Sequence, residues 1–309
     1  MADGLTRRSL LGSLAATLAV GACAASPARV AADGPRVVAL GYIKDANAAL
    51  AAGVVPVAIP KPSGLPGLDP WTRDAIDQLG GARPELIEVG QDVPIERLAA
   101  LRPDVILATG LYSLDRHRER LERIARVVPP ITGPHSDPWP ETALRVGEIL
   151  GHAAAARREI DVTRAAIERT RSSRPELAGK TFTFSSYSNG TFWTKNSTED
   201  VIAQSFAQYG MTLAPAVTGL PPAPTQGFST VSTELIDVLD ADLIIVVGGP
   251  PGADRLYERE PLFARLPAVR RGAYHPISPI DGQALAFSSV LSERYAARVV
   301  FPRLAELLG

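Results

Sequence analysis

The stretch Asp137–Arg174 reads DPWPETALRVGEILGHAAAARREIDVTRAAIERTRSSR, and it decides the fold. Asp137 and Pro138 are typical of a helix start, because an Asp side chain caps the first turn and proline fits into it. Pro175 and Gly179 end the helical pattern. Roughly 34 helical residues would span ~50 Å, more than a crossover helix inside one small domain needs. We predict one spine helix over this range that joins two domains; the alternative is a long helix packed on a single domain.

On the N-terminal side of this stretch, short apolar segments alternate with helical ones. The predicted helices are Asp45–Ala52, Ile95–Leu101 and Asp115–Arg126, and Pro60–Pro70 is a loop rich in proline and glycine. Strand and helix alternation of this kind indicates a mainly parallel sheet covered on both faces. The predicted strands are Arg36–Leu40, Val54–Ile59, Leu86–Val89, Val105–Thr109 and Val127–Thr132.

On the C-terminal side the alternating pattern restarts. The predicted strands are Thr181–Tyr187, Leu243–Val247 and Ala273–Ile277, and Val217–Phe228 is a loop. The predicted helices are Thr198–Tyr209, Thr233–Leu239, Leu262–Val269 and Ser289–Leu308. The whole chain is therefore α/β, with an N-terminal lobe over 36–136, a spine helix over 137–174 and a C-terminal lobe over 175–309.

The first residues have the order of an export signal. Arg7 and Arg8 precede the uncharged apolar run Leu10–Ala22, and small residues lead to Cys23. The run has 13 residues, fewer than the ~20 that cross a bilayer as a helix. Cys23 is the only cysteine of the chain, and it lies where a bacterial lipoprotein signal places its lipidated residue.

We therefore predict a lipoprotein signal peptide over 1–22, a lipid anchor on Cys23 and an Ala/Pro-rich tether over 23–35. The alternative is an ordinary cleaved signal with an incidental cysteine. The segment Thr6–Leu11 also resembles a twin-arginine signal, with the general secretory route as the alternative. Either route leads to the extracytoplasmic face of the cell membrane.

Composition and motifs exclude several classes of function. Without residues 1–22, the chain has 30 Lys and Arg against 32 Asp and Glu, a balance that does not favour a nucleic-acid partner. The sequence contains no nucleophile elbow, zinc-protease or P-loop motif, so we predict that the chain is not an enzyme. We predict no protein-held metal, because the four histidines, His117, His135, His152 and His275, show no ligand spacing.

Four phrases in this order resemble periplasmic binding proteins for iron–siderophores, haem and cobalamin. They are Arg36–Leu40 (RVVAL), Glu96–Ile106 (ERLAALRPDVI), Leu239–Ile244 (LDADLI) and Pro261–Gly272 (PLFARLPAVRRG). The resemblance covers the chain from Arg36 to its C-terminus. It implies two Rossmann-like lobes with mainly parallel sheets joined by one long backbone helix, the class III substrate-binding architecture, and a ligand cleft between the lobes.

The resemblance also implies partners. It makes the chain a monomeric receptor that captures a ferric siderophore and delivers it to an ABC importer permease, without a cofactor of its own. Haem or cobalamin is the alternative ligand, and a cell-envelope interaction protein that feeds no permease is the alternative class. Glu96 and Glu234 occupy corresponding helix starts in the two lobes, where relatives dock onto permease subunits.

Cleft residues are predicted from chemistry and from position in loops after strands, with Trp71 and Arg73 at the end of the Pro/Gly-rich loop. Aromatic side chains offer flat apolar area, and cations hold the anionic charge of an iron chelate. Trp193 and Tyr112 are the strongest candidates. The full predicted set is Tyr42, Trp71, Arg73, Tyr112, Tyr187, Trp193, Lys195, Arg255, Tyr257 and Phe287.

Overall fold

The computed structural model describes residues 34–62, 67–134, 136–223, 227–248 and 255–309. Two separate β-sheets lie on either side of the 137–174 segment in the chain, each accompanied by helices, so the predicted α/β fold is confirmed. None of the described helices is both long and apolar enough to cross a membrane. The predicted signal peptide, Cys23 and most of the tether lie outside the described residues.

The first sheet is parallel throughout, and its strand order is β3-β2-β1-β4-β5. The chain moves outward from β1 to β3 and then returns to the other side of β1, so the order reverses between β1 and β4. Ligands of such sheets bind beyond the carboxyl ends of the strands at that reversal. The strands are β1 Val37–Ala39, β2 Ala58–Pro60, β3 Glu85–Ile87, β4 Val105–Leu107 and β5 Arg126–Val128.

The helices of the N-terminal half include one that the sequence analysis missed. The predicted loop over 60–70 was wrong at its end, because Pro70 begins a helix whose cap is Asp69. The Asp69 carboxylate accepts a 2.8 Å hydrogen bond from the Thr72 amide, a typical N-cap. The helices are α1 Tyr42–Ala51, α2 Pro70–Leu79, α3 Ile95–Ala100, α4 Leu114–Glu122, α5 Trp139–Ile149 and α6 Ala153–Ser173.

The helical segment over 137–174 is not one continuous helix. It divides into α5 and α6 at Gly151, which has a φ of 77°. The His152 amide donates a 2.7 Å hydrogen bond to the Gly147 carbonyl, and the Gly151 amide donates a 3.1 Å bond to Glu148. These two bonds form a Schellman motif, which ends α5 and turns the chain before α6. The predicted single spine helix was therefore wrong. Gly151 adopts a positive φ, which is energetically less favourable for residues that have a Cβ atom.

The second sheet is mixed. Its order is β11-β10-β6-β7-β9, with β8 paired to the start of β6. Strands β6, β8, β10 and β11 run parallel to one another. On the other side of β6, β7 pairs antiparallel with β6, and β9 pairs antiparallel with β7. The strands are β6 Thr181–Ser188, β7 Thr191–Lys195, β8 Thr212–Leu213, β9 Phe228–Ser232, β10 Leu243–Val247 and β11 Tyr274–Ile277.

The predicted C-terminal helices are present in a more broken form. The segment Thr233–Leu239 is a 3-10 helix, and the predicted closing helix over 289–308 contains a π-helical turn at Ala296–Val300. Further 3-10 helices cover Pro175–Leu177, Leu256–Arg259 and Phe263–Arg265. The α-helices are α7 Val201–Ala207, α8 Pro215–Thr218, α9 Pro267–Arg270, α10 Pro279–Ala286, α11 Val290–Tyr295 and α12 Phe301–Ala305.

The two halves share one apolar joint. Ile43, Trp71 and Trp139 from the N-terminal side belong to the same core cluster as the second sheet and the closing helices. Polar contacts cross the joint as well, since the Ser289 hydroxyl donates a 2.7 Å hydrogen bond to Oδ1 of Asn47. A shared apolar core opposes free movement of the two halves relative to each other.

Candidate functional site

The loops after β1 and β4 meet at the strand-order reversal of the first sheet. A Cβ atom on Gly41 would overlap both the Asp45 carboxylate and the Gly110 amide nitrogen, so the backbones approach closely there. The buried Asp45 carboxylate accepts hydrogen bonds from the amides of Gly41, at 2.7 Å, and Thr109, at 3.1 Å. This carboxylate therefore holds the two loops in register. Burial raises the pKa of Asp45 to about 6, although these hydrogen bonds favour the charged form and by themselves would lower the pKa.

A buried lysine extends this polar cluster toward α5. Lys44 is almost fully buried and donates a hydrogen bond to the Asp137 backbone carbonyl. Burial lowers the pKa of Lys44, and the negative charges of Asp137 and Asp45 oppose that shift. The Asp137 carboxylate itself accepts 2.7 Å bonds from the amides of Ile131 and Thr132. These contacts fix the start of α5 beside the first turn of α1.

Tyr42 joins the carboxyl ends of the two sheets. Its backbone has a φ of 50°, a left-handed conformation that is uncommon for an aromatic residue. Its ring lies 4.6 Å from the Phe287 ring, and its hydroxyl donates a 3.1 Å hydrogen bond to Oε1 of Gln283. Gln283 lies in α10, which follows β11. The predicted pair Tyr42 and Phe287 is therefore brought together between the halves.

The antiparallel strands of the second sheet present an aromatic and cationic face. Trp193 pairs in register with Ser186 on one side and Thr230 on the other, all at least partly exposed. The Lys195 ammonium lies 3.9 Å from the centre of the Phe228 ring and 2.8 Å from the Asp200 carboxylate. We name these residues, Trp193, Lys195 and Phe228, the β7 face. Sequence reasoning placed Trp193 and Lys195 in a loop after β6, but they lie in β7.

Tyr112 faces the C-terminal half from the loop after β4. Its side chain is 76% exposed. Partial burial and the negative charge of Asp200 raise the pKa of its hydroxyl. Asp200 caps α7 in the C-terminal half and pairs with Lys195, so its charge acts on both Tyr112 and the β7 face.

The remaining predicted residues of the C-terminal half form an aromatic cluster. The Tyr257 ring is buried, and its oxygen accepts a 2.7 Å hydrogen bond from the Tyr274 hydroxyl. Tyr187 packs 5.7 Å from that ring and donates a 3.0 Å hydrogen bond to Glu260. Arg255 pairs with Glu258 at 3.2 Å. Tyr257 therefore supports the cluster from within, and Tyr187 and Arg255 form its more accessible part.

Two predicted cleft residues lie in helix α2 instead of a loop. Trp71 is buried in the joint, with its ring 4.8 Å from Tyr295. Arg73 is exposed and contacts the neighbouring Asp74 at 3.4 Å. Trp71 therefore packs the two halves together, and the structure does not bring this pair to the β7 face.

The two predicted docking acids are exposed at helix starts. Glu96 lies in the first turn of α3 before β4, and Arg120 approaches it at 3.2 Å. Glu234 lies in the first turn of the 3-10 helix before β10, beside Leu235, which is 65% exposed. The predicted correspondence between the two halves is therefore present in the structure.

The described histidines, His117, His152 and His275, lie on separate elements. His117, in α4, is buried with its Nε2 3.0 Å from the Gln91 carbonyl oxygen. His275 lies in β11, where burial and the charge of Arg303 lower its pKa. Across the described ranges, no three His, Cys, Asp or Glu side chains are placed to hold a metal ion.

Two α/β halves that meet beyond the carboxyl ends of their strands, where Tyr42 contacts Phe287 and Gln283, are typical of bilobal solute-binding proteins. The chain belongs to the periplasmic binding protein family, whose model matches residues 64–274. Members of this family bind solutes without catalysing a reaction and work outside the cytoplasm, and so does this chain.

Solved structures share this fold. A periplasmic solute binding protein from Mycobacterium smegmatis is 26% identical over 89% of this chain and 93% of its own, with a TM-score of 0.72. Streptococcus pneumoniae PiaA in complex with ferrichrome is 24% identical over 88% and 93%, with a TM-score of 0.73. Vibrio cholerae FhuD with bound Fe³⁺–Desferal is 20% identical over 89% and 99%, with a TM-score of 0.66. Among curated proteins, none matches.

Proposed function

We propose that this chain is a lipid-anchored receptor that captures a ferric siderophore in the cleft and delivers it to an ABC importer permease. The observation that carries the proposal is the β7 face, whose partner Asp200 also acts on Tyr112 of the N-terminal half. Trp193 and Phe228 offer flat apolar area to a chelate, and the Lys195 ammonium offers a positive charge already held in place. Tyr42, Tyr187 and Arg255 extend the polar and aromatic lining, supported by Phe287 and Tyr257.

The solved relatives support iron chelates as the ligand class. PiaA holds ferrichrome and FhuD holds Fe³⁺–Desferal in their structures. In this proposal the chelate supplies the iron ligands, so the site needs no cluster of His, Cys, Asp and Glu side chains.

Delivery requires docking and a location near the membrane. Exposed Glu96 and Glu234 are proposed to pair with cationic pockets of a permease, where charge pairs would set register and orientation. A lipid on Cys23 would keep the receptor near the permease and raise its effective concentration there. The receptor acts as a monomer in this proposal.

A fluorescence titration tests the proposed ligand. Purified protein is titrated with hydroxamate, catecholate and carboxylate ferric chelates, with haem and a corrinoid as competing ligand classes. Trp71 and Trp139 are buried, so quenching by a cleft ligand is expected to come mainly from Trp193. Trp193→Phe should remove most of the quenching, whereas Trp71→Phe should leave it. Quenching by haem or the corrinoid alone, or by no member of the panel, would overturn the siderophore proposal.

A further inference from the structure

A small cavity lies at the seam between the two halves. Its volume is about 160 Å³. One wall is the start of α5, and the other is α7 with the residue after Phe287. None of the ten predicted cleft residues lines it. Its lining residues are Asp137, Pro138, Trp139, Pro140, Val201, Gln204, Ser205, Gln208 and Ser288.

A fully buried carboxylate, Glu293 of α11, lies directly behind the polar wall of this cavity. It accepts hydrogen bonds from the hydroxyls of Ser288, at 2.7 Å, and Ser205, at 3.0 Å, and from Nε2 of Gln208, at 3.2 Å. All three donors also line the cavity. No cation among the described residues forms an ion pair with Glu293, and burial raises its pKa.

These contacts decide which chemistry the cavity offers to a ligand. Ser205 and Ser288 each have one hydroxyl hydrogen, and both are directed at Glu293. The two hydroxyls therefore have only lone pairs left for the cavity, while the Gln208 amide keeps its oxygen and a second N–H. A ligand placed at the two hydroxyls has to donate hydrogen bonds to them. A positive charge on it would also offset the buried negative charge of Glu293.

Other charges nearby do not reverse this preference. The Lys44 ammonium contacts the backbone carbonyl of Asp137 on the opposite wall. Its positive charge is matched by the carboxylates of Asp137 and Asp45, both buried beside it. When Glu293 is ionised, it adds a negative charge beside the cavity that no cation among the described residues pairs with.

The rest of the lining is apolar. Trp139, Pro138, Pro140 and Val201 form a wall that suits methylene groups and the face of a cation. At ~30 Å³ for each water-sized group, the cavity has room for about five heavy atoms. We propose that this cavity binds a small alkylammonium ion, with its nitrogen at the hydroxyls before Glu293 and its chain against Trp139. This site goes beyond the proposed function and does not depend on it.

The probe for this site is n-butylammonium chloride, which has five heavy atoms. It is titrated into the full chain and followed by calorimetry and by the fluorescence of Trp139, with n-butanol, sodium butyrate and sodium chloride as controls. We expect saturable binding and a higher melting temperature with n-butylammonium alone. Trp139→Phe should remove the fluorescence change. Equal binding of n-butanol would overturn the proposal, because the acceptors and the carboxylate would then play no part.

Two variants test the role of the lining. Glu293→Gln keeps the shape but removes the charge, and should weaken n-butylammonium binding about tenfold, as loss of a charge-assisted contact does. Val201→Phe fills the cavity and leaves Glu293 unchanged, so it tests the site even if Glu293→Gln does not fold stably. Glu168→Gln, on an exposed helix surface, is the matched control. An unchanged affinity of Val201→Phe for n-butylammonium would overturn this proposal. Quenching of Trp193 fluorescence by ferric chelates is a separate result, which tests the siderophore proposal.

Discussion

The hydroxyl of Tyr42 donates a 3.1 Å hydrogen bond to Oε1 of Gln283, and this bond connects the first turn of α1 in one half to α10 in the other. The backbone of Tyr42 has a φ of 50° at this point. A left-handed aromatic residue costs ~1–3 kcal/mol and persists only where its surroundings determine it. Gly41, packed against Asp45 and Gly110, provides those surroundings.

Tyr42→Phe should lower the free energy of unfolding by about 1 kcal/mol, the net value of one hydrogen bond. The ring contact with Phe287 remains in this variant, so packing changes little. Urea denaturation measures the loss. In combination with Gln283→Leu the two effects should not add, because both variants remove the same bond. Full additivity would show that the bond contributes nothing.

Gly41→Ala should destabilise the chain by about 3 kcal/mol, since overpacking against a backbone atom cannot relax cheaply. The new Cβ would overlap the Gly110 amide and the Asp45 carboxylate. Gly90→Ala is the matched control, because no atom lies within 4 Å of a Cβ built there. Thermal and urea denaturation of both variants provide the measurement, and equal stabilities would contradict the close approach.

Asp45 should make stability fall as the pH rises. Its pKa is about 6 in the folded chain, against an ordinary value of 3.8. The folded state therefore favours the protonated form, and this stabilisation is full below pH ~4 and lost as the pH rises through ~6, by up to about 3 kcal/mol. Asp45→Asn does not ionise. Its free energy of unfolding relative to the wild type should therefore rise by that amount from pH 4 to 7. A difference independent of pH would contradict the raised pKa.

Lys195→Met should weaken anionic ferric chelates about tenfold and neutral ones much less, because it removes the charge of the β7 face. The Asp200 carboxylate, now without its 2.8 Å partner, would also repel an anion. Lys180→Met, just before the start of β6 and at the end away from the cleft, is the matched control. Equal weakening of both chelate classes would show that Lys195 acts through structure alone.

Glu96→Ala combined with Glu234→Ala should abolish uptake of the ferric ligand by cells while its affinity for the purified protein stays within about twofold. Both side chains are exposed, and the Arg120 contact of Glu96 is a surface ion pair of little value to stability. Glu168→Ala with Glu306→Ala, two exposed acids elsewhere, controls for lost charge. A fall in affinity would place Glu96 or Glu234 at the ligand instead of the permease.

Two short sequence signals explain most of the differences between the predicted and observed folds. Asn189 and Gly190 have φ values of 51° and 75° and form the turn between β6 and β7. An Asn-Gly pair between apolar strands is a strong hairpin signal, and it could have placed Trp193 in a strand. Gly151 similarly marks the end of α5, within a segment otherwise rich in helix formers.

The local pattern of apolar residues was sufficient to predict an element whose own sequence shows how it is buried. The strand over 243–247 was predicted with its observed bounds, because a run of five apolar β-branched and Leu residues fits only a covered strand. Trp71 was misplaced although a local signal was present. Asp69 and Pro70 repeat the Asp-Pro helix start used at Asp137, and the Asp69 carboxylate caps α2.

The α/β class, the two halves and the acids at their corresponding helix starts can be predicted from the amino-acid sequence alone. Those features follow from the spacing of apolar and capping residues within about ten positions. The contact of Tyr42 with Gln283 and the position of Glu293 behind a cavity at the seam become visible only in the folded chain. Such contacts join residues separated by many elements of the chain, so packing of the two halves sets them and no local pattern encodes them.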